Sequence, residues 1–183
     1  MNSSNVIELK PAVEEPAKAQ VIIGLIPSQN QFVLNAIAPV IMPGMKELAE
    51  QSMEEFTVFQ VMTDILYGAK QIHMFYIDKT GTVKPENFQQ DFAQRLQEPA
   101  KDFAGFSIIE PLRNSGFHVY GGWVVPEFRR MNVAKVVALY LETEARKMGS
   151  PYISLATSRL YGAGVESVGF VETTVNYRKK LKE

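Results

Sequence analysis

Cysteine is absent from this chain. Its absence excludes disulfides, thiolate metal ligands and a cysteine nucleophile, and leaves the redox compartment open. Histidine is nearly absent too: His73 and His118 are far apart in sequence, so no multi-histidine metal site is expected, and no metal. Charge of one sign is also missing. With 19 basic and 20 acidic side chains the net charge is −1, so no global field draws the chain to nucleic acid or to an anionic membrane. No run of about 18 apolar residues is read in the chain, so no transmembrane helix is expected. The N-terminus lacks the basic-then-apolar pattern of a signal peptide. The expected compartment is the cytoplasm, with neither membrane nor nucleic acid as partner.

What is present suits an ordinary globular core: 183 residues, 46% of them hydrophobic. Residues 1–19 are polar and carry Pro11 and Pro16, the pattern of a tail that is flexible or docked on a partner. Residues 20–183 form the expected domain. A strand is predicted over 20–26. A helical region follows over 29–51, interrupted by Pro39 and by Pro43-Gly44, as two short helices or one broken one. Residues 54–70 predict an amphipathic core helix, with Phe56, Phe59, Met62, Ile65 and Leu66 on its apolar stripe. A strand is predicted over 71–78 and a helix over 85–97, with Pro85 near its first turn. Strands over 102–112 and 117–125 flank a short loop with Asn114 and Gly116. A helix from Val133 stops at Gly149, with Pro151 beyond. A buried strand over 152–157, a glycine-rich turn or helix over 158–168 and a last strand over 170–177 complete the chain. From residue 102 the order is β-β-α-β-α-β, which argues for a mixed sheet with helices on its faces.

The most informative stretch is Trp123-Val124-Val125-Pro126-Glu127-Phe128-Arg129-Arg130-Met131-Asn132-Val133-Ala134. An apolar strand enters a proline-marked turn, passes a double arginine and starts a helix. Such a turn gathers unpaired backbone N–H groups at the positive end of a helix dipole, an arrangement suited to an anion. Arg129 and Arg130 beside it favour a phosphate-bearing ligand. Taken without their context, the same arginines read as a solvated turn making weak surface ion pairs.

Residues 117–181 resemble the GNAT superfamily of N-acetyltransferases. The family's strand–loop–helix motif is carried by Val124, Pro126, Arg129, Asn132 and Ala134. Gly149, the strand residues 153–156, Gly169-Phe170 and the terminal segment 177–181 match the downstream elements. The resemblance implies an α/β fold: a mixed, mostly antiparallel central sheet flanked by helices, with residues 79–101 as a helical insertion. It implies an acetyl-CoA-dependent N-acetyltransferase, in which an amine attacks the thioester directly. Acetyl-CoA would be the co-substrate. The N–H groups of Arg130, Met131, Asn132, Val133 and Ala134 would cradle its pyrophosphate, and Val124 and Val125 would offer backbone groups to the pantetheine arm. His118 would be the general base, a task its reference pKa of about 6.5 suits. Tyr120 shares its strand face by period two.

This chain departs from the family at two places. Asn132 stands where the motif has its first glycine, and asparagine tolerates left-handed backbone better than other side chains. Val165 stands where many members have a general-acid tyrosine, and Tyr161, four residues earlier, is the candidate replacement. The acceptor is expected to be a small-molecule or peptide amine, with specificity set by residues 27–55 and 79–101. The alternative is a catalytically altered protein of this fold serving as an interaction or assembly component, as in a phage structure, through homo-oligomers or a partner on the tail. Glu110 reads as an ordinary loop charge, His73 as a structural histidine and the basic run Arg178, Lys179, Lys180 and Lys182 as a solvated end.

Overall fold

Alternating runs of β-branched and aromatic residues build the sheet. A computed structural model of the protein describes residues 19–51, 57–112 and 116–155. The strands are β1 (Gln20–Leu25), β2 (Gln71–Asp78), β3 (Phe103–Pro111), β4 (Phe117–Val124) and β5 (Ile153–Leu155). They form a five-stranded sheet in the order β1-β2-β3-β4-β5. The first three pairings are antiparallel and β4–β5 is parallel. A parallel neighbour demands a crossover, and helix α4 (Val133–Lys147) supplies it. This is the mixed, mostly antiparallel sheet flanked by helices that the resemblance implied.

The helices divide between the two faces. On one side α1 (Gln31–Gln51), α2 (Val58–Leu66) and α3 (Phe88–Arg95) cover Ile22, Ile72, Met74, Tyr76, Phe106 and Ile108. On the other, Val133, Val137, Leu141 and Ala145 of α4 lie on Phe75, Ile77, Ala104, Ile109 and Phe117. Those α4 residues recur every four positions, the stripe that a helix turns toward a core.

Three expectations need correction. Residues 31–51 form one continuous helix, neither two short helices nor a broken one, with Pro39 and Pro43 inside it. Each proline removes a ladder bond, but Ile37, Ile41 and Met45 are fully buried at four-residue spacing, and packing rather than propensity holds the helix. Counted across its prolines, Gln31–Glu50 is long and apolar enough to cross a membrane, contrary to the expectation of no such segment. Its apolar stripe packs on the sheet. The next helix begins at Val58 among the described residues, and Phe59 is 82% exposed rather than core. The buried pair is Val61 and Ile65, and Phe59 lies about 200° around the helix from Val61. Of the predicted stripe, Phe56 lies outside the described residues.

The helix predicted over 85–97 is a 3-10 turn at Pro85–Asn87 leading into α3. Phe92 of α3 rests against Gly24 of β1, where any Cβ would run into its ring. Arg95 pairs with Asp91 and donates to the Ile77 carbonyl at 3.3 Å.

Candidate active site

Strand β4 carries a defect that determines where its side chains point. Its register against β3 slips between Ile108, opposite Gly121, and Ile109, opposite Val119, leaving Tyr120 as an extra residue. Such a bulge bends a strand and re-aims its side chains. Tyr120 and Trp123, three residues apart, therefore both pack on the α1–α2–α3 side. Period-two counting fails beyond the bulge.

Around the bulge lies a row of polar groups. Glu110 of β3, His118 of β4 and Ser154 of β5 are register partners across three adjacent strands. Nδ1 of His118 is 2.9 Å from Ser154 Oγ. Glu110 belongs to β3 rather than to a loop, because its strand runs on to Pro111. Lys70, only 8% exposed, reaches Glu110 at 3.5 Å and Asp64 at 2.7 Å, and sits 4.4 Å from the centre of the Tyr120 ring. Burial pulls the Lys70 pKa down, but its hydrogen bond to Asp64 and the Glu110 and Asp64 charges outweigh that, and the net shift is upward. The same hydrogen bond holds Asp64 below its ordinary value. Lys70 is thus a fixed ammonium that ties Glu110 of the row to Asp64.

At the other end of β4 the chain makes a 3-10 turn at Pro126–Phe128 and enters α4 through Asn132. Asn132 adopts φ 57° and ψ 18°, a left-handed conformation that asparagine tolerates. The N–H groups of Arg130, Asn132, Val133, Ala134 and Lys135 have no acceptor among the described residues, whereas Met131 donates to the Phe128 carbonyl at 3.0 Å. The first intrahelical bond runs from Val136 to Asn132 at 3.2 Å. Five open donors at the positive end of a 15-residue helix suit an anion. The Val125 N–H donates to the Ala104 carbonyl at 2.9 Å, and the Val124 carbonyl accepts from Arg129 Nε at 2.9 Å.

The two arginines have different surroundings. Arg130 is exposed and has no ion pair among the described residues. Arg129 donates from Nη2 to Glu47 Oε1 at 2.7 Å, and the other Glu47 oxygen accepts from the Trp123 indole at 2.6 Å. Sequence reasoning missed Glu47, Lys70, Asp64 and Ser154. The partners of Glu47 and Ser154 lie far along the chain, and the Lys70–Asp64 pair, six positions apart, falls outside the i,i+3 and i,i+4 spacing of a helix face. A polar pair is also buried under α4, where His73 Nδ1 meets the Tyr140 hydroxyl at 3.1 Å. His73 Nε2 and the hydroxyl of Ser107, its register partner, are buried without a hydrogen bond. Burial pushes the His73 pKa down to about 4, against a smaller upward pull from Glu144.

Tyr161, Val165, Gly169-Phe170, the terminal segment 177–181, the basic run from Arg178, the strand predicted over 170–177 and the tail 1–18 lie outside the described residues.

Solved structures share this architecture. A ribosomal-protein-alanine N-acetyltransferase from Brucella melitensis is 14% identical, with a TM-score of 0.57, over 88% of this chain and 99% of its own. An acetyltransferase from Trypanosoma brucei is 14% identical at a TM-score of 0.53, over 88% and 100%. The aminoglycoside N-acetyltransferase AAC(6')-Iy, solved in complex with CoA, is 16% identical at a TM-score of 0.53, over 91% and 99%. No protein-family model and no curated protein matches the sequence. At these identities the likeness is one of fold: the chain has the GNAT acetyltransferase fold.

Proposed function

We propose that this protein is an acetyl-CoA-dependent N-acetyltransferase acting on a primary amine. The observation that carries the reading is the left-handed Asn132 among five open N–H donors at the start of α4, beyond a bulged β4. Bound acetyl-CoA would supply an acetyl group activated as a thioester.

The chain's own residues would do the rest. The N–H groups of Arg130, Asn132, Val133 and Ala134, with the Arg130 guanidinium, would hold the pyrophosphate. The acceptor nitrogen would form its bond to the acetyl carbon as the carbon–sulfur bond breaks. His118 would take the proton that the nitrogen loses, its Nδ1 side fixed by Ser154. Backbone groups displaced from the ladder by the bulge at Tyr120 lie on the same strand and would face the developing charge. The departing thiolate would take its proton from Tyr161 or from solvent.

The test is CoA release from acetyl-CoA in the presence of unrelated primary amines: an aminoglycoside, a polyamine and a peptide with an N-terminal alanine. Turnover with any of them that fails in His118→Ala supports the reading. Undiminished turnover in that variant removes His118 from the mechanism.

A further inference from the structure

Glu47 joins two parts of the fold that the chain keeps far apart. It lies on α1, one turn after Gly44. At Gly44 any Cβ would collide with the Trp123 ring, so α1 sits directly on the end of β4. One turn on, both Glu47 oxygens are engaged, by the Trp123 indole at 2.6 Å and by Arg129 at 2.7 Å. Arg129 in turn donates to the carbonyl of Val124 at 2.9 Å. The four residues close a ring of hydrogen bonds around the turn that leads from β4 into α4.

An isolated pair as exposed as Glu47–Arg129 contributes little. Here each partner makes a second directed bond, and planar guanidinium–carboxylate geometry adds orientation. The ring constrains the backbone between Val124 and Arg129, immediately before the open N–H groups.

We propose that Glu47 is a positioning residue for the anion-binding turn, and that Arg129 acts through it rather than by touching phosphate. The inference rests on the acetyl-CoA reading for its ligand, and on the hydrogen-bonded ring for its geometry. It reverses the expectation from charge alone. Removing a carboxylate near a polyanion site should tighten binding by relieving repulsion. Loss of a positioning residue should weaken it.

The experiment has two arms on Glu47→Gln, Arg129→Ala and the double variant. The first is hydrogen exchange without ligand at the bonded amides of Val125, Phe128, Met131 and Val136, with the β1–β2 amides as internal reference. The second is CoA binding by calorimetry. The proposal predicts about tenfold faster exchange at those amides in each variant, about tenfold weaker CoA binding, and a double variant no worse than either single one. Exchange that stays at the wild-type rate overturns it, as does tighter CoA binding in Glu47→Gln or full additivity. If wild-type protein binds no CoA, the acetyl-CoA reading falls and the exchange arm alone decides whether Glu47 positions the turn.

Discussion

Nδ1 of His118 lies 2.9 Å from Oγ of Ser154 across the parallel pairing of β4 with β5. The hydroxyl can fix the ring so that Nδ1 carries the proton and Nε2 the lone pair, the form a general base needs. His118→Ala should lower kcat about 100-fold or more and leave acetyl-CoA affinity within twofold. Ser154→Ala should cost less, about tenfold in kcat, and should alter the ring tautomer seen by nitrogen-15 NMR. An unaltered tautomer with an unaltered rate would show that Ser154 does not orient the base.

Lys70 compensates two carboxylates at once, Asp64 at 2.7 Å and Glu110 at 3.5 Å. Removing it leaves both without their cation. Lys70→Met should therefore destabilise the fold by about 3 kcal/mol in urea denaturation. Adding Asp64→Asn and Glu110→Gln to that variant should recover part of the loss, since no uncompensated charge then remains. A triple variant weaker than Lys70→Met would mean that packing of the Lys70 stem over Tyr120, not charge, is the larger contribution.

His73 makes stability pH-dependent. Its folded pKa, about 4, lies below the unfolded value of about 6.5. Above pH 6.5 both states are neutral and the contribution is complete. Between pH 6.5 and 4 the unfolded chain takes up a proton that the folded one refuses, so stability falls, by about 3 kcal/mol at most. Asp64 titrates below its ordinary value and extends the loss to lower pH. Thermal unfolding followed from pH 7.5 to 4.5 should show the decline, and His73→Leu should flatten it. An equal slope in that variant would assign the decline to other groups.

Gly44 should resist replacement although it lies inside a helix. Propensity alone predicts that Gly44→Ala stabilises α1 by about 1 kcal/mol. The collision of its Cβ with Trp123 predicts the opposite, a loss of about 1–3 kcal/mol from overpacking. The sign of the change in denaturation midpoint separates the two.

Much of this was legible in the sequence because it is local. The apolar run of β4, the proline turn and the four-residue stripe of α4 are short-range patterns, and Asn132 was readable as the left-handed position because a motif fixed its place. The rest depends on contacts between distant segments. The continuity of α1 across Pro39 and Pro43 comes from burial of Ile37, Ile41 and Met45. The bulge at Tyr120 appears only when β4 is laid against β3. Arg129 was expected at phosphate, and nothing near it in sequence announces Glu47, 82 positions away.

The most direct test of the central claim is acetyl-CoA binding by calorimetry, on wild-type protein and on Arg130→Ala. Arg130 is exposed, beside the open N–H groups at the start of α4. The account predicts binding with a Kd on the order of tens of micromolar, weakened about tenfold in Arg130→Ala. Wild-type protein that binds no acetyl-CoA at millimolar concentration would contradict it.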